Sequence, residues 1–245
     1  MANPVTTPGS KRPTLVDGAR ASRTSIALKL LMALSGLAFV GFVLGHMYGN
    51  LKAFSGHDAF NEYAYHLKEL GEPMLPHMGF IWIMRGGLLL ALIIHVACAI
   101  ELTRRARKAR PVQYVVKKHT GAIPASRLMR WGGLTLFLFI VWHLVNFTFG
   151  KVNVETGETG DAAGDPYNLL VDTFDVWWMT LIYLVAMAML GAHLHHGVWS
   201  SMQTLGLTGT AEARARVKTI SFALAIVIAG GFSLVPIAVL TGLID

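Results

Sequence analysis

Ten histidines occur in this chain of 245 residues, and six of them interrupt stretches that are otherwise apolar. His46, His95 and His143 each stand alone in such a stretch, and His193, His195 and His196 share another. An ionisable side chain at hydrocarbon depth is costly and is usually retained for function. A hydrogen bond to a neighbouring helix would account for one such histidine, but it accounts poorly for one in each of four helices. Neutral imidazole is a strong ligand for transition metals, so the chemistry on offer is metal ligation. On a helix His193 and His196 share a face and His195 does not, which disfavours a single site using all three. His95 and Cys98 also share a face, at i and i+3, so a mixed histidine–cysteine metal centre is a second chemistry to carry forward. The remaining histidines, His57, His66, His77 and His119, fall in polar segments and are expected to be solvated or interfacial.

The elements that must position these residues are membrane helices. Hydrophobic residues make up 53% of the chain, and the charged fraction of 14% is well below the roughly 25% of soluble domains. Five apolar runs reach the ~20 residues needed to cross a hydrocarbon core. They are roughly Ile26–Tyr48, Met78–Leu102, Leu128–Phe149, Val176–Met202 and Ile220–Leu243. The expected fold is therefore all-α and integral to the membrane: a five-helix transmembrane bundle over residues 26–245, preceded by a polar cytoplasmic tail over residues 1–25. That tail lacks the apolar core and cleavage site of a secretory signal. Asn50–His77 reads as partly helical, and the Gly- and Asp-rich stretch Gly150–Asp175 as irregular. The net charge of +7 could suggest nucleic acid. The basic residues instead gather at the ends of the apolar runs, and no nucleic-acid-binding signature is present.

Orientation follows from those basic residues. With the N-terminus inside and the C-terminus outside, seventeen of the 21 Lys and Arg fall in inner segments, and only Lys52, Lys68 and Lys151 in outer loops. Depth then sorts the histidines. At about 1.5 Å per residue, His46 lies roughly 28 Å from the inner end of its helix and His143 about 22 Å from that of its own. By the same rise, His95 and His193 lie about 24–26 Å from the outer ends of theirs. The four thus fall into two layers, His46 with His143 in the outer and His95 with His193 in the inner, although histidine played no part in setting the topology. Two axial imidazoles on one iron give a low-spin heme that carries electrons and offers no open position. Gly36, Gly41, Gly45, Gly86, Gly87, Gly191 and Gly197 could make room for a macrocycle, although Gly41 and Gly45 also have the spacing used for close helix packing. Arg85 on the outer side, and Lys29 and Arg130 at inner helix ends, are candidate partners for heme propionates, with snorkelling to the interface as the competing role. The single cysteine, Cys98, excludes an intrachain disulfide and a multi-cysteine iron–sulfur cluster. No nucleotide loop, nucleophile–base pair or zinc motif is evident.

Several segments resemble the cytochrome b subunit of succinate dehydrogenase and fumarate reductase, of the single-chain, five-helix, di-heme type. In the first span these are Ser25-Ile26-Ala27-Leu28-Lys29, Ser35-Gly36 and Gly45-His46-Met47-Tyr48-Gly49-Asn50. The second has Arg85-Gly86-Gly87 followed by His95. The third has Arg130-Trp131-Gly132-Gly133 and Trp142-His143-Leu144-Val145-Asn146-Phe147-Thr148. The fourth has His193-Leu194-His195-His196-Gly197-Val198-Trp199, then Gln203-Thr204-Leu205-Gly206. The resemblance runs from about Arg23 to the C-terminus. It implies two b-type hemes, the outer held by His46 and His143 and the inner by His95 and His193, with His196 as the runner-up in the fourth span. Relatives often carry a second histidine where Asn146 stands. The resemblance also implies a flavoprotein subunit and an iron–sulfur subunit docked on the cytoplasmic face, electron delivery to a membrane quinone near Ser25 and Lys29, and a bacterial plasma-membrane location. A higher oligomer of the complex is left open. The chief alternative is the cytochrome b subunit of a hydrogenase or formate dehydrogenase, with a proton-coupled transporter behind it.

Overall fold

The computed structural model describes residues 24–109 and 122–245, with the side chains of residues 122–128 left aside. The expected tail therefore lies outside the described residues as far as Arg23, as do His119 and the middle of the expected basic loop. The described residues form helices α1 (Ser25–Leu51), α2 (His57–Glu69), α3 (Gly79–Lys108), α4 (Ala122–Leu144), α5 (Pro166–Asp175), α6 (Trp177–Thr204) and α7 (Ala211–Leu240), with no strand among them. Short 3₁₀ turns cover Lys52–Ser55 and Gly160–Ala163, and a π-helical turn over Val145–Phe149 prolongs α4.

α1, α3, α4 with its π turn, α6 and α7 are each long and apolar enough to cross a membrane. A helix satisfies its backbone internally, which lipid cannot do for it. The helices start where side chains can cap them. The Thr24 hydroxyl accepts from the Ala27 N–H at 3.1 Å, and Thr210 does the same for Ala213 at 3.1 Å. Large apolar side chains cover the outside of the bundle, among them Leu34, Trp82, Leu89, Leu138, Leu181 and Phe222. Such exposure suits lipid and would be a liability in water.

The long helices alternate in direction, so the bundle has two distinct ends. One is capped by α2 and α5. The Tyr167 N–H donates to Asn61 Oδ1 at 3.2 Å, and the Tyr167 hydroxyl donates to the carbonyl of Asp245 at 3.1 Å. His57 bridges Asp58 and Asp165, tying α2 to the start of α5. The Gly150–Asp175 segment is thus more ordered than its composition suggests. Asp165 accepts from the Asn168 N–H at 2.8 Å as N-cap, and Pro166 opens the helix. The other end is basic. It carries Arg104, Arg105, Arg130, Arg214 and Lys218, and Arg105 donates both to Glu101 and to the Ser25 hydroxyl.

The packed core sits between α6 and α7 and beneath the cap, around Met179, Tyr183, Val235 and Phe174. A Cβ on Gly191 would stand 3.2 Å from that of Ala229, so a small residue sets the α6–α7 approach. α1 packs on α3, α6 and α7, and α6 also packs on α4. Neither α1 with α4 nor α3 with α6 belongs to the closely packed pairs.

Candidate cofactor site

Those loosely associated pairs carry the four histidines. His46 of α1 and His143 of α4 face one another with ring centroids 5.8 Å apart and planes at 75°. His95 of α3 and His193 of α6 have centroids 6.2 Å apart and planes at 55°. With metal–imidazole bonds of about 2.0–2.1 Å, two rings on opposite sides of one metal atom have centroids about 6 Å apart. Each pair therefore has the span that shared ligation requires.

Hydrogen bonds settle which nitrogen is free in one ring of each pair. His95 Nδ1 is 3.2 Å from the Met32 carbonyl and 3.3 Å from Ser35 Oγ. Ser35 spends its own proton on the Leu31 and Met32 carbonyls. Both neighbours are thus acceptors, so Nδ1 carries the proton and Nε2 keeps its lone pair. In α4, His143 Nδ1 is 3.3 Å from the Tyr183 hydroxyl, which donates to Asn146 Oδ1 at 3.1 Å. Tyr183 can then only accept from His143, and the Nε2 lone pair is again left open. A ligating histidine anchored through its other nitrogen is the usual arrangement in metal sites. The second ring of each pair is less constrained. His193 Nδ1 is buried with no hydrogen-bond partner, and the His46 ring makes no hydrogen bond among the described residues.

The surroundings of the two pairs differ. His46 stacks on Phe42 at 5.3 Å and lies against Phe232, while His143 is flanked by Phe139, Phe147 and Tyr183. Phe39 approaches His95 edge-on at 6.3 Å. A Cβ on Gly36 would come within 3.3 Å of His95 Cε1, so the ring occupies space that only glycine leaves. A Cβ on Gly41, Gly45, Gly86, Gly87 or Gly197 would meet nothing within 4 Å. Among the described residues, Gly41 and Gly45 therefore make no close helix-packing contact.

The structure separates the three histidines of α6. His193 stands beside His95. His195 turns to α7, where its Nδ1 is 3.4 Å from Ser221 Oγ and its ring meets Phe222 edge-on. His196 is not drawn into either pair. Cys98 is buried in α3, and among the described residues no three His, Cys, Asp or Glu side chains gather to hold a metal. Arg85 lies over the Trp82 ring at 4.9 Å, as Lys52 lies over Tyr48 and Lys68 over Tyr65, the geometry of interfacial anchors. Its guanidinium makes no ion pair among the described residues. Lys29, Arg130 and Ser25 are exposed at the basic end, with Ser25 held by Arg105. His57, His66 and His77 are exposed in the capping segments. Tyr183 and the fully buried Asn146 belong to the site although their sequence context drew no attention to them as partners of His143.

A comparison of the chain with protein-family models, with curated proteins and with solved structures finds no match.

Proposed function

We propose that this chain is the membrane-anchor cytochrome b subunit of a succinate:quinone oxidoreductase, binding two b-type hemes and passing electrons from an iron–sulfur subunit to membrane quinone. The observation that carries the heme half is the presence of two cross-helix histidine pairs, each with the ring separation that ligation of one metal requires and, among the described residues, neither with a third protein ligand. A bare ion held by two imidazoles would be left under-coordinated among apolar side chains. His46 with His143, and His95 with His193, would each hold a porphyrin iron, and the group would supply one-electron transfer with no position left open to oxygen.

The protein's own residues then do three things. Met32 and Ser35 orient His95, and Tyr183 orients His143, so that a nitrogen lone pair is available before the cofactor arrives. The apolar helices keep water from the path between the layers. The basic end, inside by the distribution of Lys and Arg, presents Arg104, Arg105, Arg130 and Lys218 to the flavoprotein and iron–sulfur partners, with Ser25 and Lys29 beside the quinone approach. Arg85 keeps N–H groups available for a heme propionate on the capped, outer side. The succinate half is supported by the order and spacing of the segments from Ser25 to Gly206. This reading places the chain in a bacterial plasma membrane, with its C-terminus outside.

The test is a heme count and a reduced-minus-oxidised spectrum on the complex purified through this chain. Two b-type hemes with a co-purifying flavin subunit are expected. A nickel or molybdenum subunit in place of flavin would transfer the chain to the hydrogenase or formate dehydrogenase class. Absence of any heme band would overturn the heme assignment.

A further inference from the structure

The cap and the outer histidine pair are joined by a continuous hydrogen-bond chain. The Asn146 amide nitrogen donates to the Val152 carbonyl at 2.7 Å and reaches Thr173 Oγ1 of α5 at 3.5 Å. This orients the amide, so its oxygen faces the Tyr183 hydroxyl at 3.1 Å. Tyr183 is thereby committed as a donor to Asn146 and presents only a lone pair to His143 Nδ1 at 3.3 Å. Asn146 and Thr173 are wholly buried and Tyr183 nearly so, which leaves water little access to these bonds. The backbone is shaped to the same end. Asn146 sits in the π-helical turn that directly follows the His143-Leu144 end of α4, and the Val152 N–H returns to the Asn146 carbonyl at 3.0 Å. Such turns recur at functional sites because they re-aim side chains. The inner pair is held differently: His95 Nδ1 is oriented by the Met32 carbonyl and by Ser35 Oγ, both of α1, with no link to the cap, and His193 Nδ1 has no partner.

We propose that Asn146 and Tyr183 act as a positioning relay that holds His143 in the Nδ1-protonated form and sets its donor strength toward the outer cofactor, independently of the inner site. The inference rests on the two-heme reading above. An imidazole whose N–H is hydrogen-bonded is the more basic ligand. It favours the ferric over the ferrous state and lowers the potential of the heme it holds. Asn146 thus takes a structural part in the site without being a ligand.

The experiment is potentiometric titration of both hemes in the purified complex, with low-temperature electron paramagnetic resonance on the same samples. Tyr183→Phe removes only the hydroxyl. It is expected to raise the midpoint potential of one heme and alter one low-spin signal, with the other heme unmoved. Loss of that one heme with retention of the other would equally support the relay. Asn146→Leu should shift the same heme in the same direction. Combined with Tyr183→Phe it should add almost nothing, because two links of one chain are not additive. Two hemes with unchanged potentials in Tyr183→Phe would overturn the relay and leave the two-heme reading intact. Equal shifts at both hemes, or full additivity in the double variant, would also overturn it, since both describe general packing damage. A wild-type complex without heme would overturn the reading and the relay together.

Discussion

The rings of His46 and His143 cross at 75°, nearly perpendicular, although their helices α1 and α4 are not close-packed neighbours. His95 and His193 cross at only 55°. Axial imidazole planes nearer to perpendicular make a low-spin ferric heme more anisotropic. On the two-heme reading, two distinct signals are therefore expected in the oxidised complex, the more anisotropic from the outer site. A single signal integrating to two hemes would contradict the asymmetry.

The pairing also predicts how heme is lost. His46→Ala and His143→Ala should each reduce the pyridine-hemochrome count from two to one and remove the same spectral component. His95→Ala and His193→Ala should remove the other. His195→Ala and His196→Ala should leave both, since His195 is engaged with Ser221 and Phe222 and His196 joins neither pair. Retention of both hemes in every single variant would refute the assignment.

Gly36 offers a test that leaves all ligands in place. A methyl group there would press on His95 Cε1 at 3.3 Å. Gly36→Ala should perturb the inner spectrum alone, and Gly36→Val should empty the inner site while the outer heme persists. Overpacking of this kind costs about 1–3 kcal/mol, enough to displace a ring but not to unfold a five-helix bundle. Gly230→Ala in α7, where a Cβ meets nothing within 4 Å among the described residues, is the matched control.

The His57 bridge gives the cap a pH dependence. The Asp58 carboxylate, and after it Asp165, raises the His57 imidazole above its ordinary value. Burial pushes the Asp165 carboxyl up, but the Asn168 N–H and His57 outweigh it and hold it below the usual range. A raised histidine stabilises the fold below its unfolded value of about 6.5 and loses that contribution as pH climbs through the folded value. A depressed carboxylate contributes above its unfolded value of about 3.9 and loses that contribution as pH falls through the folded one. The tie between α2 and α5 should accordingly be tightest at mildly acidic pH. Amide exchange in Pro166–Asp175 should quicken as pH rises past the His57 transition, after correction for intrinsic rates. His57→Gln should flatten that profile, and an unchanged profile would sink the idea.

Much of this architecture is written in hydropathy. The runs beginning at Ile26, Met78 and Val176 mark α1, α3 and α6 to within a residue or so at their starts. α7 departs most. It begins at Ala211 rather than Ile220, because Thr210 caps a helix whose first turns carry Arg214, Arg216 and Lys218. Hydropathy reads where lipid begins, whereas hydrogen bonding decides where a helix begins. α3 likewise runs on to Lys108 through its arginines. The helix Pro166–Asp175 was hidden in a Gly- and Asp-rich stretch, although Asp165-Pro166 is a cap signal in its own right. The histidine layers were legible because depth follows from rise per residue. The choice of His193 over His196 came from the resemblance, and the structure sets His193 beside His95. The Tyr183–Asn146 link was not legible, since it joins residues 37 positions apart across two helices. Its one trace was a tyrosine inside a membrane span, less than two turns from its start, where a hydroxyl needs a partner.

The sparse packing of α1 on α4 and of α3 on α6 bears on how such a chain is made. The His46–His143 pair is complete once α4 has left the ribosome and entered the bilayer. His193 does not yet exist at that moment, so His95 waits for a partner until α6 follows. A cofactor captured in each pair would act as a crosspiece between helices that grip one another weakly. On the two-heme reading the outer ligands meet first, but α6 brings both His193, the inner partner, and Tyr183, the anchor of His143, before α7 closes the bundle.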